Sequence, residues 1–537
     1  MRDEKLLCSG WEFCCCEIGT EFKDASGWQA VDLPHDWLIY DTKDLYKTST
    51  GWYRRVITVP EDGRRTALRF DGVYMDCRIY VNGRQAFEWK YGYTSFECDI
   101  TEYLKGGENL VAVRVDHREP NSRWYSGAGI YRKVRLVRYE EQHILSNGVY
   151  ISAAVDGTVT VTTETERPAG ETAADLSLRT VITRFGGEGA LCELTSACCA
   201  ADRSVLPQEL VKDGRSYTVN DQKLRVEAPA LWDITAPALY VCTVSLLKNG
   251  EERDRISVRF GFRSCEMTAD RGFILNGRQL KLHGVCEHHD LGALGAAVNK
   301  SAIIRKLNKL RLMGVNAIRT SHNPPAPEFL EAAEERGFLI LDEFLDMWEL
   351  KKTDYDYARF FPRWVRRDAA SWVRRDRNHP CVIGWSIGNE IYDTHFSERG
   401  QEVTSLLKSL VQQHDPRGNG FVTIGSNYMG SETAQRCADI LKNAGYNYAE
   451  RLYDEHHRAH PDWHIYGSET SSIVQSRGIY HFPADKPVLS EDDEQCSALG
   501  NSTPAWAAKC WEANIIPDRD AEYCAGQFIW TGFDYIG

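Results

Sequence analysis

The chain has 537 residues, 42% of them hydrophobic and 26% charged, with a net charge of −13. That length exceeds a single hydrophobic core, so roughly two to four domains are expected. The acidic balance argues against nucleic acid as a partner, and the ordinary hydrophobic content suits a soluble globular protein.

The start, Met1-Arg2-Asp3-Glu4-Lys5-Leu6-Leu7, lacks the apolar core of a signal peptide, and no stretch approaches membrane-spanning length. The expectation is a cytoplasmic protein without membrane contact. From residue 1 to about 142 the chain alternates as a β-sandwich does. Trp52 to Val59 runs into the turn Pro60-Glu61-Asp62-Gly63, and Ala67 to Phe70 follows. Arg78 to Val81 leads into Asn82-Gly83, a strong hairpin signal, and Leu110 to Val115 is another period-two strand. With no long helix in view, a jelly roll fits. Residues 143–262 form a second all-β block, with strands such as Thr158 to Thr162 and Tyr240 to Leu246 set off by Asp156-Gly157 and Asn249-Gly250. An immunoglobulin-like sandwich is expected there. The Ala- and Cys-rich stretch from Gly186 to Arg203 receives no assignment. The 17 cysteines are odd in number, and neither Cys14-Cys15-Cys16 nor Cys198-Cys199 has zinc-ligand spacing. Free thiols in a reducing compartment are expected.

From residue 263 strands alternate with helices, the pattern of a parallel sheet or barrel. Strands are read at Leu280–Gly284, Val315–Arg319, Phe338–Asp342, the run ending at Glu390, Gly420–Ile424, Ala444–Tyr448, the run ending at Glu469, and Gln527–Thr531. Helices fall after the first at Ile303 to Met313, after the second at Pro327 to Arg336, after the third near Pro362 to Arg377, and after the fourth around Val403 to Val411. The count is that of a (β/α)₈ barrel spanning 263–537, truncated after strand eight, with no sequence left for a closing helix.

Two apolar runs, Trp385 to Glu390 and Ile465 to Glu469, each stop on a Glu. Carboxylates at C-terminal strand ends of a barrel face the substrate. Two of them are the minimum kit for cutting a glycosidic bond with retention: one acid for the leaving oxygen and one nucleophile, roughly 5–5.5 Å apart. Their environments must differ. Arg319 and His322 end the second strand in Arg319-Thr320-Ser321-His322-Asn323-Pro324-Pro325, and a cationic Arg beside a carboxylate favours its ionised form. Asp342-Glu343 is a second acidic strand end, read as supporting, with Asp346 as a hydroxyl ligand.

The chain resembles glycoside hydrolase family 2, the β-galactosidase, β-glucuronidase and β-mannosidase group, over essentially its whole length. The residues that carry the likeness are Leu33-Pro34-His35-Asp36-Trp37, Arg123-Trp124-Tyr125-Ser126-Gly127-Ala128-Gly129-Ile130-Tyr131-Arg132, the Arg319 to Pro325 stretch, Arg377-Asn378-His379-Pro380 through Glu390, Gly467-Ser468-Glu469, and Trp530-Thr531-Gly532-Phe533-Asp534-Tyr535. The resemblance implies a jelly-roll sugar-binding domain, an immunoglobulin-like domain and a catalytic barrel. It implies acid/base at Glu390, nucleophile at Glu469, a 2-hydroxyl contact at Asn389, glycone-pocket positions at His288 and His322, an aromatic platform at Trp530 and a nucleophile partner at Tyr448.

No metal and no cofactor are expected. His283, His288, His289 and Asp290 could be read as ligands, but adjacent histidines lack the spacing of zinc motifs. Met347 and Glu349 stand where some β-galactosidases of this group hold magnesium with Glu and His. The reading is a retaining exo-β-glycosidase acting on terminal β-galactosides, its partner a small-molecule or oligosaccharide β-glycoside, with homo-oligomerisation left open. The alternatives are a β-glucuronidase of the same group and a catalytically silent carbohydrate-binding fragment.

Overall fold

The computed structural model describes residues 1–198, 206–472 and 511–536. The first sandwich packs a six-stranded antiparallel sheet against a four-stranded one. Its spine is the pair Ser49–Val59 and Gly107–His117, antiparallel over all 11 residues of each. Alternating side chains of both sheets meet in a core that includes Trp11, Phe13, Tyr53, Ile79 and Val113. The hairpin joining Cys77–Val81 to Arg84–Trp89 turns at Asn82 and Gly83, with φ of 51° and 81°. Both angles lie in the left-handed region that a two-residue hairpin turn requires, which is why Asn-Gly stands there.

The second sandwich pairs a three-stranded sheet with a four-stranded one over its own core, which includes Val159, Val161, Leu178, Tyr240 and Val244. Part of the unassigned Gly186 to Arg203 stretch is a strand, Ala190–Ala197, paired antiparallel with Leu176–Arg184 at the sheet edge. Its inward positions are only half-buried and its composition is Ala- and Cys-rich, so the polar–apolar contrast that marks a strand is weak. Residues 199–203 of that stretch lie outside the described residues.

Eight parallel strands then close into a barrel. In order they are Leu282–Glu287, Ala317–Thr320, Leu339–Glu343, Val382–Asn389, Phe421–Ser426, Asn443–Asn447, His464–Thr470 and Gly526–Ile529. Val382–Asn389 is buried at every residue, which explains its continuous apolar sequence. The first strand begins two residues later than expected, because Leu280 donates its amide to Phe273 in the short antiparallel sheet before the barrel. It runs on to Glu287, whose neighbours across the ladder are in the second strand. Helix Pro327–Arg336 starts on Pro at its first turn and stops at Gly337, φ 67°, as read from sequence.

Several of the motifs join one unit to the next. Asp36 accepts from the Leu38 and Ala128 amides, from the Tyr125 hydroxyl at 2.6 Å and from the Ala296 amide at 2.9 Å, tying the first sandwich to the barrel. Arg132, fully buried, donates to the carbonyls of Tyr93, Pro324 and Pro325 and so fixes the loop behind His322. Asn378 bonds the Ile151 amide and the Val149 carbonyl, docking the second sandwich. Replacing Asp36 with Ala leaves four buried donors unpaired, at about 1–3 kcal/mol for each that finds no substitute. The expected outcome is a loss of at least about 3 kcal/mol in denaturant unfolding; an unchanged midpoint would contradict the role given to this carboxylate.

Candidate active site

The strand ends bring one connected network of charges to the C-terminal mouth of the barrel. Arg319, inward-facing on the second strand and fully buried, is its hub. Its Nη1 donates to Glu469 Oε2 at 2.9 Å, its Nη2 to Asn389 Oδ1 at 2.7 Å and its Nε to Glu343 Oε2 at 3.0 Å. Glu343 also accepts from Ser386 Oγ at 2.7 Å and is hydrogen-bonded to His322 Nδ1 at 2.7 Å. It is fully buried and fully engaged, so it anchors Arg319 and His322 and has no free oxygen to react. Asp342, its neighbour on the strand, points to the other face, as alternate residues must. There burial and the Asp376 carboxylate push its proton affinity well up.

Glu469, on the seventh strand, has its side chain 7% exposed. Its second oxygen accepts from the Tyr448 hydroxyl at 2.5 Å, and the Tyr448 amide donates to the Glu469 carbonyl. Glu390 follows the last residue of the fourth strand and is more open, its side chain 13% exposed. Its oxygens accept from Arg123 Nη1 and from Asn447 Nδ2, both at 3.3 Å. Asn447 also donates to Asn389 Oδ1 at 3.0 Å, so the surroundings of the two Glu residues interlock. Glu390 and Tyr448 both take left-handed backbone, φ 46° and 54°. Such angles cost non-glycine residues on the order of 1 kcal/mol and persist only when the surroundings hold them. For Glu390 the holders are the bond from its own amide to Gly425 O and the bond from Lys352 Nζ to Asn389 O.

Asp346 stands beside Glu390. It accepts two bonds from Arg123, one from Lys352 at 2.8 Å and one from Asn389 Nδ2 at 2.8 Å. Burial opposes its charge, but Lys352 and Arg123 hold it well below the usual carboxylate range. An aromatic wall completes the mouth. Trp530 stacks on His322 at 5.4 Å and meets His288 at 5.2 Å; Trp124, from the first sandwich, meets both histidines. A small pocket lies between Trp124, His322 and Asp346 on one side and Tyr74, Tyr91 and Tyr93 of the sandwich on the other. Burial pushes both histidines well down, so each is a neutral ring in this setting.

All nine residues singled out from the sequence therefore lie in or against this one mouth. Lys352 and Asn447 were not singled out, and Arg123 stood only as the first residue of the Arg123–Arg132 motif, with no role in the site. Asn447 adjoins Tyr448 and could have been found from the strand end, and Lys352 from its place six residues after Asp346. Arg123 sits 223 residues from Asp346, a distance no local pattern bridges. The histidines considered as ligands diverge: His283 is exposed, His289 bonds Ser126 O, and Asp290 accepts from the Gly292 amide. Among the described residues no group of three or more His, Cys, Asp or Glu is arranged to hold a metal.

The electrostatics depart from expectation at Glu469. Burial, with the Glu390 charge adding to it, pushes this carboxyl up to about 7 against the pull of Arg319 and the Tyr448 hydroxyl. Arg319 is itself shared with Glu343, so its charge does not offset the desolvation.

The sequence matches the description "Glycosyl hydrolases family 2, TIM barrel domain" over residues 267–468, the sugar binding domain of the same family over 28–140, and a third family 2 segment over 148–263. A protein of Bacteroides ovatus named Beta-galactosidase BoGH2A is 37% identical across 95% of this chain and 65% of its own length. One of Formosa agariphila named "Putative beta-glucuronidase" is 32% identical across 100% of this chain and 52% of its own. The chain thus spans between about half and just under two thirds of these relatives. A crystal structure of a glycosyl hydrolase family 2 member from Bacteroides cellulosilyticus superposes with a TM-score of 0.83 at 32% identity, covering 99% of this chain and 65% of that one.

Proposed function

This chain belongs to glycoside hydrolase family 2, and we propose that it is a retaining exo-β-glycosidase acting on terminal β-D-galactosides. The observation that carries the reading is the unlike pair of carboxylates in one hydrogen-bonded network. Glu469 is buried and clamped on both oxygens, by Arg319 and Tyr448, as a nucleophile that must attack along one line requires. Glu390 is more open to solvent, as a group that must first meet a leaving oxygen and then a water requires.

In the first step a Glu469 oxygen bonds to the anomeric carbon while the bond from that carbon to the aglycone oxygen breaks. Glu390 gives its proton to that oxygen. In the second step Glu390 takes a proton from water, the water oxygen bonds to the anomeric carbon, and the ester bond to Glu469 breaks. Asn389, held by Arg319 and turned toward Asp346, is the contact for the sugar 2-hydroxyl. Trp530 and Trp124 form an apolar wall for the ring, and Asp346 is a hydroxyl acceptor.

The galactoside preference draws on the relative named a β-galactosidase and on charge. Arg123, Arg319 and Lys352 are each already paired with carboxylates, so none of the three is free to receive a sugar carboxylate. Relatives named as β-glucuronidases keep the second reading in play. A panel of nitrophenyl glycosides separates them: turnover of the β-galactoside is expected, and turnover of the β-glucuronide in its place would overturn the choice.

A pH profile follows from Glu469. The carboxyl must be ionised to attack, and burial together with the Glu390 charge raises its pKa above the usual carboxylate range. The first step needs Glu469 ionised while Glu390 still carries its proton, so kcat/KM should fall about tenfold per unit on the acid side as the raised Glu469 carboxyl takes up a proton. Removing the Glu390 charge by Glu390→Gln takes away one of the two causes of the elevation. With a dinitrophenyl glycoside, whose leaving group needs no acid, the acid limb of that variant should lie at lower pH. An unmoved limb would count against the coupling of the two groups.

A further inference from the structure

Beside Glu390, outside the network above, three aromatic rings stand open. Tyr392, Phe396 and Tyr428 are 41%, 73% and 44% exposed. Tyr392 lies two residues after Glu390, and Phe396 ends the short helix Asp393–Phe396. Tyr428 lies two residues beyond the fifth strand, whose Gly425 carbonyl receives the Glu390 amide at 2.8 Å. The rings form a chain: Phe396 lies 6.0 Å from Tyr428, Tyr428 stacks on His395 at 4.4 Å, and His395 lies 5.7 Å from Tyr392. Lys352, which bonds the Asn389 carbonyl, sits 5.7 Å from the Tyr392 ring centre and joins the chain to the site.

The base under these rings is fixed. Asp393, Thr394 and His395 are buried. Asp393 accepts from the Glu349 and Leu350 amides, and Thr433 donates to the His395 carbonyl at 2.7 Å. Aromatic faces held rigidly in water beside a reacting group offer binding energy to whatever lies against them.

We propose that Tyr392, Phe396 and Tyr428 form an aglycone subsite for a second, uncharged pyranose ring. The inference rests on the reading of Glu390 as acid/base. The leaving oxygen must meet Glu390, so whatever it carries emerges on that residue's side of the mouth, where these rings begin. Lys352, beside the Tyr392 ring, is already paired with Asp346, and Arg399, three residues after Phe396, with Glu349 and Glu402, which favours a neutral aglycone. A pyranose matches the surface: its C–H face lies against an aromatic ring while its hydroxyls stay in water.

The test uses Phe396→Ala and Tyr428→Ala, singly and together, against methyl β-galactoside and a β-galactosyl disaccharide. The ratio of kcat/KM for the disaccharide to that for the methyl glycoside should fall about tenfold in the double variant. A ratio that stays at the wild-type value overturns the subsite, whether both activities fall together, as for rings that merely support the fold, or neither does. Calorimetry on the Glu469→Gln protein reads binding without turnover. There the disaccharide should weaken about tenfold on adding the two substitutions, relative to the methyl glycoside, and equal affinities overturn the subsite. A wild-type protein that cleaves no β-glycoside would instead defeat the glycosidase reading, and the calorimetric comparison still decides the subsite.

Discussion

Glu469→Gln is expected to lower kcat by about 10⁵-fold or more on every β-glycoside, on the order of 7 kcal/mol of lost transition-state stabilisation. The amide keeps the size of the side chain and can still meet the Tyr448 hydroxyl and the Arg319 guanidinium, so the mouth should keep its shape. It cannot bond to the anomeric carbon, and nothing else on the described strand ends takes its place: Glu343 is engaged on both oxygens, and Asp346 is turned to Arg123, Lys352 and Asn389. Steady-state kinetics with protein free of wild-type contamination measures the loss. The smaller variant Glu469→Gly should recover turnover with azide and release the α-glycosyl azide, because azide then attacks from the face the carboxylate has vacated. Loss of less than about a hundredfold would mean that another group attacks.

Glu390→Gln should behave differently, and the difference separates the two roles. For glycosides with poor leaving groups the loss should be about 10²–10⁴-fold, the usual worth of a positioned proton donor. For dinitrophenyl glycosides, which depart without a proton, formation of the glycosyl-enzyme should change little, while its hydrolysis slows for want of the base. A burst of dinitrophenol followed by a slow steady state is the expected trace. Glu390→Gly with azide should give the β-glycosyl azide. The same loss for good and poor leaving groups would contradict the acid/base role.

Much of this site is legible in the sequence, for a physical reason. A buried parallel strand is a continuous apolar run, and a Glu that ends one is conspicuous against it; Trp385 to Glu390 and Ile465 to Glu469 are both of that kind. The hairpin at Asn82-Gly83 and the helix stop at Gly337 were legible because backbone conformation there demands particular residues. The strand Ala190–Ala197 was not, since its composition carries little alternation. The role of Arg123 was beyond local reading because its partners lie in the barrel while it belongs to a loop of the first sandwich. The state of Glu469 is hidden from the sequence for a related reason. An Arg close by in sequence pattern suggests an ionised carboxylate, but the outcome depends on how deeply the group is buried and on how many carboxylates divide that Arg. The motif residues Asp36, Arg132 and Asn378 are also informative: they hold the sandwiches to the barrel, which is how Arg123 and Trp124 come to face Glu390 and His322.

The account stands on Glu469 as the group that becomes covalently joined to the sugar. The direct measurement is to treat the protein with 2-deoxy-2-fluoro-β-galactosyl fluoride, which forms the glycosyl-enzyme faster than water can release it, then to digest and locate the added mass by tandem mass spectrometry. The account predicts time-dependent inactivation and one fluorogalactosyl group on Glu469. A label on another carboxylate, or inactivation that leaves Glu469 unmodified, would contradict it.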